Sequence, residues 1–278
     1  TNLEEDRRRY AQRREVPLVR YERAKAQHKV VDFTGDARPV APAFLGVHVE
    51  EEIPLATLAQ YIDWTPFFAT WELRGQYPDI LKDPVVGAAA TELFANAQGL
   101  LNVLISERQL TAKATWGFFP ANRDGDDLVV FTDESRAHER ARFPMLRQQE
   151  ERPSDDKTAA SYTSLVDFVA DKATAPDWVG LFAITSGHGV SERAAAFEAA
   201  HDDYNAIMVK ALADRLAEAG AEWLHREGRR AWYAPDESLP VADLIRERYR
   251  GVRPTPGYPA CPDHTDKPLI FELLGAER

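Results

Sequence analysis

The chain of 278 residues is 44% hydrophobic and 28% charged with a net charge of −11, an ordinary balance for a folded protein with a sizeable core. The acidic excess argues against general nucleic-acid binding, because neutralising phosphates needs a basic face. With no apolar run long enough to span a bilayer and one cysteine, Cys261, neither membrane insertion nor an intramolecular disulfide is expected, and a cytoplasmic setting fits.

The charge is uneven: residues 1–30 hold nine Lys and Arg against five Asp and Glu, which leaves the remainder at −15. Residues 3–29 read as a helix broken or kinked near Pro17, and residues 1–30 as a helical linker leading from a preceding domain. The chain begins with Thr1 inside this pattern, as a piece of a longer polypeptide would. Phe44–Ile53 reads as a strand. The following "LATLAQYIDWTPFFATWEL" is expected to start as a short helix and run into an aromatic-rich strand. Asp83 and Pro84 supply a cap and a first-turn proline, after which Val86, Ala90, Leu93, Phe94, Ala97, Leu101 and Leu104 recur at helical spacing.

Thr115–Phe119 and Leu128–Thr132 flank the turn-rich stretch from Asn122 to Asp127, which predicts a hairpin. Residues 149–160 read as a solvated loop and "DWVGLFAIT" as a buried strand. A long helical region runs from Ser191 to about Arg229 with a break at Asp202 and Asp203. A last helix is expected over Pro240–Arg250, capped by Ser238 and stopped by Gly251. Helices, a hairpin and more helices lack the even alternation of a doubly wound sheet. The expected class is α+β, an antiparallel or mixed twisted sheet flanked by helices.

Three motifs have plain readings. "TSGHGVSE", Thr185–Glu192, looks like a phosphate-binding turn, but Glu192 stands at the third glycine position and an ordinary strand-to-helix turn is favoured. In "HDDYN", His201–Asn205, neighbouring side chains on a helix diverge by about 100°, so helix-surface polarity explains them better than a metal. Cys261 and His264 have ligand-like spacing, yet a structural zinc needs about four ligands and no second thiol exists; no metal is expected. The stretch "RPTPGYPACPDHTDKP" is harder to set aside. Pro254, Pro256, Pro259 and Pro262 stiffen it, and such a backbone is expected to leave N–H and C=O groups free for a ligand. Gly257 and Ala260 would admit a flat group, and Arg253 offers a planar fork for a carboxylate. A structural turn with a helix-capping arginine accounts for these features equally well.

Taken together, "YIDWTPFF", "LFANAQGLL", "GFFPANRDGDDL", "FEAAHDDYNAIMVKALADRLAEAGAEWLH" and "RPTPGYPACPDHTDK" resemble the activation domain of cobalamin-dependent methionine synthase, from about residue 15 to residue 274. The resemblance implies that residues 31–278 form such a domain. It would bind S-adenosylmethionine and dock on the cobalamin-binding domain of the same polypeptide. Reductive methylation would then restore methylcobalamin, with the electron coming from flavodoxin or an equivalent reductase.

Residue by residue, the resemblance gives Arg253 the ligand carboxylate and makes Asp63 a ligand-binding position. It places Gly257, Tyr258 and Ala260 beside the ligand and corrin, and Glu218 and Glu247 at acidic positions of the site. Asp214, Tyr258 and His264 become partner-domain contacts, with Asp214 near the cobalt-ligand histidine. It implies no acid, base or nucleophile in this domain, a monomer, and no turnover by the chain alone. Family members usually continue past "FELLGAER", so the domain is expected to be truncated at its C-terminus. Two other readings stand: a docking module that caps a cobalamin domain without S-adenosylmethionine, and a self-contained α/β methyltransferase. The latter needs a glycine-rich turn that "SGHGVSE" does not supply.

Overall fold

The computed structural model describes residues 17–35, 37–151, 161–258 and 260–277. The elements in order are α1 (Tyr21–Ala26), β1 (Gly46–Ile53), α2 (Leu55–Leu58), α3 (Trp64–Thr70), α4 (Gly87–Ser106), β2 (Thr111–Asp124), β3 (Asp127–Phe131) and β4 (Glu139–Pro144). They continue with β5 (Asp177–His188), α5 (Val190–Ala199), α6 (Asp203–Arg230), α7 (Val241–Ile245) and α8 (Asp266–Leu274). The strand order is β1-β2-β3-β4 with antiparallel pairings along it, and β5 also pairs β2. The α+β expectation is met.

The chain divides into two compact units: Thr1–Pro39, Pro120–Trp178 and Pro254–Asp266 form unit 1, and Val40–Phe119, Val179–Arg253 and Lys267–Arg278 form unit 2. Strand β2 serves both along its length. Its first part pairs with β1 in unit 2, with Val49 opposite Thr115, and its end pairs with β3 in unit 1, with Asp124 opposite Asp127.

Unit 2 holds the large apolar core, in which Leu58, Phe67, Phe68, Leu104, Met208, Leu212 and Leu216 are buried. The expected aromatic strand is instead α3. Asp63 caps it by accepting from Thr65 N at 2.9 Å, and Trp64, Phe67 and Phe68 then fall on its buried side at three- and four-residue spacing. Asp83 sets up α4 by accepting from Val85 N and Val86 N, one turn before the helix proper. The break near Asp202 is present: its Oδ1 accepts from Asn205 N at 3.0 Å and starts α6. "DWVGLFAIT" lies in β5, but most of it is half-buried rather than buried. The last predicted helix shrinks to α7, five residues long, with Pro240 at its cap position and no side-chain cap from Ser238.

In unit 1 the hairpin turn is tighter than the sequence implied. Gly125, at φ +64°, stands at the first central position of a two-residue turn, and Asn122 lies in the strand. Asn122 is buried and donates to the carbonyls of Ala170 and Ala175. Arg147 is buried between two carboxylates, forked to Asp167 at 2.7 and 2.8 Å and bonded to Asp126 at 2.6 Å. Tyr21 of α1 also donates to Asp126, and the Asp126 and Asp167 carboxyls sit below the usual range, Arg147 being their main stabilising partner against burial. Residues 149–151, expected as loop, pair with the chain at 17–19. The expected helix over 3–16 and the remaining loop, 152–160, lie outside the described residues. Strand β4 and helix α8 were not foreseen.

Gly189, the final glycine of "SGHG", has φ +91°, and a Cβ there would stand 2.5 Å from the Gln109 carbonyl oxygen. The motif is the tight turn between β5 and α5, required by packing. Gly189→Ala combines left-handed strain with a backbone clash, and denaturant unfolding should show a loss of at least about 2 kcal/mol.

Candidate functional site

Helix α6 positions the polar cluster of unit 2. Its first half buries Ala206, Met208, Val209, Leu212 and Leu216 in the core. At Gly220 the helix lies so close to β5 that a Cβ would stand 2.5 Å from Ile184 Cδ1. Beyond that point the same helix carries Glu222, His225 and Arg229 at three- and four-residue spacing, hence on one face.

Arg253 Nη2 donates to Glu222 Oε2 at 3.1 Å, with side chains 17% and 8% exposed. This is half of the fork such a pair can make: Arg253 Nε and Glu222 Oε1 are buried without a hydrogen-bond partner. Burial pushes the Glu222 carboxyl up, Arg253 and then Arg229 act against that, and Glu247 adds to it.

Arg229, by contrast, is fully engaged. Its Nε and Nη2 donate to the two Glu237 oxygens at 3.0 and 2.6 Å, and its guanidinium lies 3.8 Å from the Tyr249 ring centre. Its Nη1 lies 3.0 Å from His225 Nδ1. Arginine only donates, so Nδ1 accepts and the proton of the neutral ring is assigned to Nε2. Burial, helped by Arg229 and Arg253, lowers His225 to about 3. The His225 and Tyr249 rings meet edge to face at 5.0 Å. Tyr233 Oη donates to the Arg250 carbonyl at 2.9 Å, and Gly251, at φ +111°, leaves no room for a Cβ, which would stand 2.1 Å from that hydroxyl oxygen. Tyr249 is therefore held on α6, and Arg250 and Gly251 on Tyr233 just beyond its end, shortly before Arg253.

Asp63 is exposed at the start of α3. Two residues earlier, the Tyr61 hydroxyl accepts from Arg226 of α6. Glu222 and Arg226 are one helical turn apart, so the Asp63 segment and Arg253 are tied to neighbouring turns of one helix. Glu218 and Asp214 continue the Glu222 row toward the helix start, both exposed, and Asp214 is paired with Arg215 at 2.5 Å. Glu247 is exposed at φ +54° and close enough to raise both Glu222 and Tyr249.

Gly257, Tyr258, Ala260 and His264 belong to unit 1. The loop does not leave its backbone open as expected. Gly257 N donates to Cys261 O at 2.7 Å, Tyr258 N to Thr255 O at 3.2 Å and Cys261 N to Tyr258 O at 2.9 Å. What the loop presents are side chains: Tyr258 is 59% exposed, and Ala260 and His264 are exposed. Gly257, at φ +106°, is required, because a Cβ would stand 2.3 Å from the His264 ring. Cys261 is buried, and burial with Asp266 and Asp263 raises its thiol pKa.

A family model described as the vitamin B12-dependent methionine synthase activation domain matches residues 54–278. The chain belongs to that family. A crystal structure described as the MetH reactivation domain bound to AdoHcy is similar over 93% of this chain and 78% of the other, with 48% identity and TM-score 0.86. The parent enzyme of the family is a methyltransferase, and among the described residues no helix is long and apolar enough to cross a membrane.

Within this activation domain the structure brings Arg253 and Glu247 to Glu222, whereas the Asp63 carboxylate is shown only as the cap of α3. Glu222, His225, Arg229 and Tyr249 were not singled out from the sequence. The available signal was the run Ala219-Gly220-Ala221, small residues that thin the helix where it carries Glu222.

His225 gives a pH signature. The unfolded chain binds a proton there below about pH 6.5, whereas the folded ring stays neutral to about 3. Stability present at neutral pH should therefore fall as pH drops below 6.5, by up to about 1.4 kcal/mol per pH unit from this group. Unfolding curves of wild type and His225→Gln between pH 7 and 5 should show a shallower slope in the variant.

Proposed function

We propose that the chain binds S-adenosylmethionine at Arg253 and the charged face of α6, and presents the methyl group to a cobalamin carried by a neighbouring domain of the same polypeptide. The observation that carries this reading is the half-made pair between Arg253 and Glu222. Its unpartnered buried donor and acceptor suit a ligand that brings a carboxylate and a cation together. S-adenosylmethionine has such an amino-acid end, and Asp63, Glu218 and Glu247 add negative charge for its ammonium and sulfonium. The similar crystal structure holds AdoHcy, which has the same amino-acid end.

Cob(II)alamin would enter as a substrate from the partner domain; after one electron from flavodoxin or an equivalent reductase it would take the methyl group as the S–CH3 bond breaks, with S-adenosylhomocysteine as the leaving group. This chain needs no acid or base of its own. Its residues hold the sulfonium in line and keep water away. Tyr258, Ala260 and His264 on the loop of unit 1 and, taken separately, Asp214 on α6 of unit 2 are proposed contacts with the partner domain. Residues 1–30 are proposed to lead in from the partner domain, and within unit 1 Tyr21 and Lys25 bond to Asp126. The chain acts as a monomer within its parent.

Calorimetry with S-adenosylmethionine should give one site per chain, with affinity about 100-fold weaker in Arg253→Lys, which keeps the charge and loses the fork. Absence of binding by wild type at millimolar ligand would remove this reading. Incubation of the chain alone with S-adenosylmethionine and homocysteine should yield no methionine.

A further inference from the structure

We infer that Glu222 is the specificity-determining residue of the Arg253 site: it makes the site accept a carboxylate only from a ligand that carries a cation beside it, as an α-amino acid does. The inference rests on the ligand class proposed above and names the group that selects it.

The first argument is geometric. If Glu222 served only to hold Arg253 in place, a dry site would favour the two-bond fork. One bond is made instead, and Glu222 Oε1 stays buried and unpartnered on a side chain 8% exposed. An acceptor left open in that way costs stability until a donor arrives, and an ammonium is the strongest donor an amino-acid ligand brings.

The second argument is the charge around it. The groups that act on Glu222 are Arg253, Arg229 and Glu247. Arg229 is matched by both oxygens of Glu237, and His225 beside it is neutral. Among these described groups the guanidiniums of Arg229 and Arg253 stand against three carboxylates, Glu237, Glu222 and Glu247, the last acting on Glu222, which leaves one negative charge in excess. A ligand with a carboxylate alone would add to that excess, whereas a zwitterion adds no net charge and sets its ammonium against the carboxylates.

The test is calorimetry on the 278-residue chain with S-adenosylhomocysteine and its des-amino analogue, which keeps the carboxylate and replaces the ammonium with hydrogen. Wild type should prefer the former by about tenfold or more. Glu222→Gln should bring the two within about twofold, with the des-amino ligand binding better than it does to wild type. Glu222→Asp, which keeps the charge, should retain the preference. Equal weakening of both ligands in Glu222→Gln, or no preference in wild type, would overturn the inference and leave the proposed function standing. No binding of either ligand to wild type would remove both. The wild-type comparison decides even where a variant fails to fold.

Discussion

Two opposite charges held out of water with one bond where two are possible form the constraint on which the unit 2 site depends. Removing a carboxylate and a guanidinium from solvent costs several kcal/mol each, and only good geometry recovers it. Arg229 and Glu237 show the recovered case: two bonds, a stacked ring and a histidine accepting the remaining donor. Arg253 and Glu222, the latter on the same helix face as Arg229, show the open case. The contacts of Tyr249, Tyr233 and Gly251 fix the chain just before Arg253, and the proposed ligand would use the capacity the pair leaves unfilled.

Unit 1 uses the same chemistry to the opposite end. Arg147 is forked to Asp167, bonded to Asp126 and to the Tyr162 carbonyl, and buried. That cluster holds α1 and the Ser164 turn to the hairpin. The proline-rich loop is likewise closed on itself, with its amide groups spent internally and the His264 ring packed on Gly257. Its rigidity comes from its own bonds as much as from its prolines, and it leaves an exposed Tyr258 on a fixed base.

Several elements were readable because their determinants are local. Asp202 caps α6 through its own side chain, the Gly125 turn fixes the hairpin, and the repeat from Val86 to Leu104 gives α4. The aromatic segment failed because rings are common in strands, while the decisive features were the Asp63 cap and the spacing of Trp64, Phe67 and Phe68. Strand β4 was missed because "ERARFP" carries four polar or proline residues, and its pairing comes from β3. The helix predicted over Pro240–Arg250 ended early as the chain turned through Glu247 at positive φ to bring Tyr249 onto Arg229.

The sequence by itself determined the elements with local caps and periodicity and, through its motifs, the family. Tertiary structure alone decided which carboxylate meets Arg253. Glu218, Glu222 and Glu227 are equivalent on paper, each a glutamate on a long amphipathic helix. Burial separates them, and burial depends on where Gly220 lets α6 approach β5 and on a segment thirty residues away folding back, which no local pattern encodes.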